Sequence, residues 1–168
     1  MKRQIKIYSF IIALLFLSAC KMNYSFTGAS ISPEIKSVSI DLFPNHALLV
    51  NPNLSQYFTE ELKDEFVNNT NLDLIKEDGD LQFSGEIVSY KTSPAAIQGD
   101  LASQTRLTIA IGVKFVNTQN SEQDFDKTFS SYTDFPSDKS LDEVEDEAVV
   151  EIVEKIIDDI FNDSVSNW

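Results

Sequence analysis

The sequence has 168 residues and is strongly acidic, with 27 aspartates and glutamates against 13 lysines and arginines and a formal net charge of −14. Such a charge disfavours nucleic acids and other polyanions as partners of the whole surface, and it disfavours broad adhesion to anionic lipid headgroups. The hydrophobic fraction of 42% is enough for the core of a single domain.

Residues 1–19 have the pattern of a secretory signal peptide. Basic residues and no acid precede a largely apolar run at 7–17, which is shorter than the roughly 20 residues of a membrane-spanning helix. The run leads into Leu17-Ser18-Ala19-Cys20, which resembles a bacterial lipobox. The alternative is an ordinary export signal with a chance cysteine. Because an exported domain with one cysteine makes no internal disulfide, its sulfur is better explained as an anchor.

We therefore predict that the mature protein begins at Cys20 and carries acyl chains on this residue. Each buried lipid methylene contributes about 0.8 kcal/mol, so two chains already hold a protein firmly in a membrane. Lys21 follows, whereas aspartate at that place retains lipoproteins of this kind in the inner membrane, so we expect the periplasmic side of the outer membrane. Residues 20–34 are predicted to be the lipidated N-terminus and tether, and residues 35–168 one domain. Loss of the leader removes three basic residues and takes the net charge to −17.

The domain is predicted to begin with a strand and a helix. Polar and apolar residues alternate in Ile35–Phe43, which predicts a strand with Val38, Ile40 and Leu42 on one face. A helix with one apolar stripe is predicted to follow Asn53, its expected N-cap, and to end in a run of asparagines and threonine.

The middle of the chain is predicted to form strands joined by turns and one longer loop. The predicted strands are Leu72–Ile75, Leu81–Tyr90, Thr105–Asn117 and Asp124–Tyr132. Gly85 occupies an apolar position of its strand, where it either lets a neighbour pack closely or marks a bulge. We expect Ser93–Gln104 to be a flexible loop because it contains proline, glycine and aspartate.

The last element is predicted to be a long amphipathic helix. Ser140 and Glu143 match a capping box, and the apolar positions continue to about Asn162. Burial of nine apolar side chains makes this helix a main part of the core. The order of elements predicts an α+β fold: a two-layer sandwich in which two helices pack on one face of a mainly antiparallel or mixed sheet of about four strands.

We find no motif for catalysis or for a metal ion in the sequence. His46 is the one histidine and follows a turn, so a solvated surface residue is the better interpretation. The acids near the start of the last helix do not have the spacing of a calcium loop. We therefore expect no enzyme, no cofactor and no metal site.

The start of the mature chain carries a resemblance to a known family. The segment Tyr24-Ser25-Phe26-Thr27-Gly28 after Cys20, followed by the strand from Ile35 and the helix near Leu54, resembles the LptE-type lipopolysaccharide-assembly lipoproteins. The resemblance implies a small α/β sandwich without catalytic activity. It further implies that the lipoprotein sits in a large LptD-type outer-membrane β-barrel and assists the placement of lipopolysaccharide on the cell surface.

The candidate contact residues lie on the sheet and its longest loop. They are Lys91, Arg106, Thr108 and Lys114, with the weakly charged loop residues Ala95, Ala96 and Ile97. Residues 91–127 are near neutral in charge within a very acidic protein, so phosphorylated lipid A meets least repulsion there. The alternative interpretation is a solvated sheet face whose lysines protect edges against aggregation.

Two other functions remain open from the sequence. A periplasmic lipoprotein of this size can instead regulate a cell-wall synthase by docking on it. A carrier of soluble ligands is less favoured, because a two-layer sandwich with one wet sheet face encloses no apolar cavity.

Overall fold

The computed structural model describes residues 31–49, 51–98 and 101–166. The helices and strands are β1 (Ser37–Ile40), α1 (Leu54–Asn69), β2 (Asp73–Ile75), β3 (Leu81–Gln98), β4 (Leu101–Asn117), β5 (Phe125–Pro136) and α2 (Leu141–Phe161). A 3-10 turn at Ser121–Gln123 precedes β5, and a turn of π-helix at Asn162–Ser166 follows α2. The predicted signal peptide, Cys20 and most of the tether lie outside the described residues.

The five strands form one mixed sheet in the order β2-β1-β3-β4-β5. β1 runs parallel to both of its neighbours, whereas β3, β4 and β5 pair antiparallel. This arrangement confirms the predicted α+β sandwich, with five strands instead of about four. In the described part of the chain, no helix combines the length and apolar content that a membrane crossing requires.

One face of the sheet forms the core together with both helices. The β4 side chains that face the helices are all buried: Leu107, Ile109, Ile111, Val113 and Phe115. α2 buries eight side chains along its inner stripe, as its apolar arc predicted. The predicted capping box is also present, because a carboxylate oxygen of Glu143 accepts a hydrogen bond from the Ser140 backbone N–H at 2.7 Å.

The start of α1 differs from the prediction in one detail. Asn53 is the N-cap residue, but its side chain makes no capping hydrogen bond. Asn51 Oδ1 instead accepts from the backbone N–H groups of Asn53, at 2.9 Å, and Leu54, at 3.1 Å. Asparagine two residues before a turn commonly bonds the backbone ahead of it, and here that bond satisfies the free N–H groups of the helix start.

The predicted first strand is too long at its end. β1 stops at Ile40, and Leu42 is 62% exposed whereas Phe43 is fully buried. The predicted inward position of Leu42 is therefore wrong. The cause is an irregular continuation, in which His46 N–H bonds Ile87 O at 3.0 Å and Ile87 N–H bonds Pro44 O at 2.9 Å. The alternation of an ideal strand does not hold through this segment.

Phe43 fills the space above Gly85 on β3. A Cβ atom at Gly85 would lie 2.7 Å from a Phe43 ring carbon and 2.0 Å from the carbonyl oxygen of Gly112. The Phe43 ring also meets Phe58 of α1 edge to face, with 5.0 Å between ring centroids. The predicted close approach at Gly85 is thus confirmed, and a bulge follows between Ile87 and Ser89.

The predicted loop Ser93–Gln104 is wrong, because most of this segment continues β3 and β4. The two strands pair as a ribbon out to Gln98 and Leu101, with bulges around Ala96. Among the described residues no strand pairs with the other edge of β3 beyond Ile87, so Pro94 loses no second ladder bond there. Residues 91–94 of this ribbon are exposed, so that part of it needs no apolar alternation, and the pattern did not reveal the strand.

At the lower end of the sheet, where β1 and β3 begin, Asp80 joins the two strands. One carboxylate oxygen of Asp80 accepts from the backbone N–H of Lys36 at 2.8 Å, from the Ser37 N–H at 3.0 Å and from the Ser37 hydroxyl at 3.0 Å. These bonds lower the pKa of Asp80, with the Lys36 N–H as the largest cause. The Asp80 carboxylate therefore fixes the entry of β1 into the sheet.

Candidate functional site

The face of the sheet opposite the helices is the candidate site, and we call it the open face. Residues directly paired across antiparallel strands share a face, so the register places the outward side chains in rows. The rows from the lower to the upper end are Ser84-Lys114-Asp126, Glu86-Gly112-Thr128, Ser89-Ala110-Ser130, Lys91-Thr108-Tyr132 and Ser93-Arg106-Asp134. The upper end is the end from which the β3–β4 ribbon projects.

Arg106 lies at the upper end of the open face and is already paired. Its Nε and a terminal nitrogen donate to the two carboxylate oxygens of Asp134 at 2.7 and 2.9 Å, and its guanidinium carbon lies 3.6 Å from the centroid of the Tyr132 ring. The bond from Arg106 lowers the pKa of Asp134. Arg106 is thus a fixed side chain whose charge Asp134 neutralises, and we call Arg106 with Tyr132 and Asp134 the Arg106 platform.

Lys91 and Lys114 carry the unpaired positive charge of the open face. Both side chains are exposed, and neither forms an ion pair with any described residue. Lys91 adjoins Thr108 in the upper rows. Lys114 lies at the lower end, at the mouth of a polar cleft of about 250 Å³ that Asp41 and Asp78 also line. The predicted contact residues on the sheet therefore share one face. Lys91, Arg106 and Thr108 form a group at its upper end, and Lys114 lies apart at its lower end.

The position of Lys114 bears on the alternative interpretation as edge protection. β4 lies between β3 and β5, so Lys114 does not guard a sheet edge. Lys127 on the edge strand β5 does fit that role: its ammonium lies 4.6 Å from the centroid of Phe125 and 5.0 Å from that of Phe129, and it pairs with Asp163. A different reason is needed for a lysine in the middle of the sheet.

The predicted loop residues belong to the β3–β4 ribbon. Ala95 is half-buried, Ala96 pairs with Gln104, and Ile97 pairs with Ala102. The ribbon extends beyond the end of β5, whose last pairing joins Pro136 to Gln104. The ribbon therefore projects from the upper end of the sheet, beside the Arg106 platform.

Tyr132 and Asp134 were not identified from the sequence as residues of the candidate site. They sit on the open face because β5 pairs with β4 in a register that sets them opposite Thr108 and Arg106. Their outward phase on the strand was visible, since Phe129 and Phe135 occupy the inward positions. Their neighbours were not visible, because the register of a hairpin depends on the length and shape of its turn.

The family model for lipopolysaccharide assembly, LptE, matches residues 35–164. The chain belongs to the LptE family. This result confirms the resemblance seen at the start of the mature chain, although the match itself covers the folded domain. Comparison with curated proteins gave no match.

Solved structures share the fold of this LptE family member at low sequence identity. A minor lipoprotein from Acinetobacter baumannii is 12% identical, with a TM-score of 0.52 over 77% of this chain and 91% of that chain. A hypothetical protein from Chlamydia trachomatis is 13% identical, with a TM-score of 0.56 over 79% and 99%. An uncharacterized lipoprotein B from Nitrosomonas europaea is 9% identical, with a TM-score of 0.52 over 76% and 80%. At these identities the likeness supports the fold alone.

The LptE family is a family of lipopolysaccharide-assembly proteins. His46 Nδ1 lies 2.6 Å from a carboxylate oxygen of Glu86 on the surface. Within residues 31–49, 51–98 and 101–166, no cluster of histidine, cysteine or acidic side chains has the geometry to hold a metal ion.

Proposed function

We propose that the protein is a non-catalytic outer-membrane lipoprotein, anchored through Cys20 on the periplasmic side, that partners an LptD-type β-barrel in lipopolysaccharide assembly. The family match over residues 35–164 carries this proposal. The proposed lipid anchor rests on the resemblance of Leu17-Ser18-Ala19-Cys20 to a lipobox.

The open face is the surface we assign to the barrel. The helices cover the other face, so the open face is the broad surface of the sheet that remains accessible. Its side chains are short or polar along β4, where Thr108, Ala110 and Gly112 follow one another. A polar barrel lumen can approach such a surface closely. The β3–β4 ribbon extends the same surface and would reach farthest into the barrel.

The two unpaired lysines are the positions we assign to lipid A phosphates. Asp134 neutralises Arg106, which leaves Lys91 as the free cation at the upper end and Lys114 at the lower end. They lie on β3 and β4 at rows about 20 Å apart, at roughly 3.3 Å per residue over six residues of strand. The side chains of Arg106 and Tyr132 already hold each other in place and form a flat surface. A sugar ring of lipid A could pack on this surface without a further loss of side-chain entropy.

Co-purification of the full-length lipoprotein from detergent-extracted membranes tests the proposal. We expect a large β-barrel to accompany the wild type, and the double variant Lys91→Glu/Lys114→Glu to recover much less of it. The matched control is Lys63→Glu/Lys155→Glu, which makes the same charge change in exposed pairs of the helix layer with Glu60 and Glu151. Recovery of a cell-wall synthase in place of the barrel would reject the proposal. An equal loss with the control variant would reject the assignment of the open face.

A further inference from the structure

The helix layer carries a groove between α1 and α2 that the proposed function does not use. On α1 the residues at this groove are Tyr57, Glu61 and Glu65, four residues apart and therefore on one side of the helix. On α2 they are Val150, Glu154 and Asp158, at the same spacing. Tyr57 and Val150 line the same cleft, which places the two sets across from each other. We call this set the helix groove.

The upper end of the helix groove is an apolar cleft of about 270 Å³. Leu54 and Tyr57 line it from α1, and Val149 and Val150 from α2, together with the polar residues Asn51, Asn53 and Asp146. Val150 is 40% exposed although it lies in a helix with a large buried stripe. The cleft has room for one aliphatic or aromatic side chain, and it is open to solvent.

Below the cleft the helix groove is lined by carboxylates without cations. Glu61, Glu65, Glu154 and Asp158 form no ion pair with any described residue. The lysines of the two helices pair elsewhere, Lys63 with Glu60 at 3.0 Å and Lys155 with Glu151 at 2.6 Å.

Burial raises the pKa of Glu65, and Asp158 raises it further against a hydrogen bond from Asn69. Burial also raises the pKa of Tyr57, followed by the charges of Glu61 and Glu154. Tyr57 and Glu65 thus occupy partly buried positions at which further negative charge is unfavourable, and a bound cation would relieve this.

We propose that the helix groove is the docking site of a basic amphipathic segment of a partner protein. One apolar side chain of the segment would fill the cleft at Val150, and its lysines or arginines would follow along the four carboxylates. Val150 to Asp158 spans about 12 Å of helix, so two to three turns of a helical segment cover the site. Charge complementarity selects this occupant: an anionic membrane surface is repelled, and so is the helix groove of a second copy.

The docking site lies on the side of the molecule opposite the open face. A partner bound there would leave the open face free for the barrel. The two proposals are therefore independent, and each can fail without the other.

The probe for the test is a synthetic, fluorescently labelled peptide of 14 residues in an alanine and glutamine background. It carries one phenylalanine followed by lysines four, seven and eight positions later. Binding to the full-length lipoprotein in neutral detergent is measured by fluorescence anisotropy at 50 mM and 200 mM salt. We expect a Kd below about 100 μM at the lower salt, weakening several-fold at the higher salt because surface charges are screened.

Two comparisons decide the outcome. The variant Glu61→Gln/Glu154→Gln should weaken binding about tenfold, as should replacing the peptide phenylalanine by serine. The matched control Glu122→Gln/Asp126→Asn removes two exposed acids near the start of β5 and should change Kd less than twofold. Equal weakening by both variants would mean attraction to bulk charge only and would overturn the proposal. A wild-type Kd above 1 mM, or a serine peptide that binds equally well, would also overturn it.

Discussion

Replacing Gly85 by alanine should destabilise the domain strongly, whereas the same change at Gly112 should be tolerated. The new Cβ at Gly85 would lie 2.0 Å from the Gly112 carbonyl oxygen and 2.7 Å from the Phe43 ring. The first contact is with backbone, so β3 and β4 must separate by more than 1 Å or Phe43 must leave its place. Overpacking of a core costs about 1–3 kcal/mol, and a clash with backbone in addition takes our expectation to about 3–4 kcal/mol.

At Gly112 the new Cβ would meet its nearest atom, Val88 Cγ1, at 3.5 Å, which is an ordinary contact. Alanine is favoured over glycine in a strand by about 0.5–1 kcal/mol, because the unfolded chain loses freedom. The two variants should therefore differ by about 4 kcal/mol in unfolding free energy. For a domain of this size, the Gly85→Ala variant should lose about 10–15 °C in Tm.

Thermal and urea unfolding of the two lipoprotein variants, followed by circular dichroism in the same detergent, measures this difference. Gly112→Ala serves as the control for the loss of a strand glycine without a clash. If the unfolding free energy of Gly85→Ala lies within about 0.5 kcal/mol of the wild-type value, β3 and β4 do not approach closely at Gly85 and the Phe43 ring does not pack on it.

Other predictions concern the anchor, the lower end of the sheet and the helix groove. Cys20→Ala should release the protein from the membrane fraction with an unchanged circular dichroism spectrum, and a lipid-free Cys20 in the mass spectrum of the wild type would contradict this. Because the folded-state pKa of Asp80 is lowered, its contribution to stability is present above the unfolded pKa and lost as pH falls through the folded one. The urea midpoints of wild type and Asp80→Asn should therefore differ at pH 7 and converge as the pH falls through the folded-state pKa of Asp80; a constant difference would contradict the role of the carboxylate. Glu65→Gln should not destabilise at pH 7, since the raised pKa shows that the charged form is disfavoured; a lower Tm would show that the Asn69 bond dominates.

The sequence predicted the elements whose pattern comes from burial against a layer. β4 alternates because one side meets the helices, and α2 shows its stripe because Ile152, Ile156 and Ile160 all meet the sheet. The capping box at Ser140 is a local motif, and it formed as predicted. These features depend on neighbours in the chain or on a periodic face, and both are visible in sequence letters.

The errors fall where the structure departs from a repeating pattern. Leu42 was misplaced because an irregular continuation of β1 shifts the phase and turns Phe43 inward. The prediction of a loop at Ser93–Gln104 was wrong because residues 91–94 of the β3–β4 ribbon are exposed and carry no apolar alternation. Within the candidate site, Arg106, Thr108 and Lys114 were predicted to share a face and do so, and the bulge between Ile87 and Ser89 adds Lys91 to that face. The pairing of Arg106 with Asp134 was missed because it depends on the register between two strands.

The position of β1 has a mechanical consequence for a tethered protein. The predicted tether at residues 20–34 leads into the domain just before Lys36 and Ser37, whose backbone the Asp80 carboxylate holds. β1 lies between β2 and β3 and runs parallel to both, so a pull on its N-terminus acts along the strand. Such a pull loads the ladder bonds on both sides together, in shear, rather than opening them one after another. If the chain is anchored at Cys20 as proposed, β1 is the first strand after the anchor, and tension on the tether would act on it first.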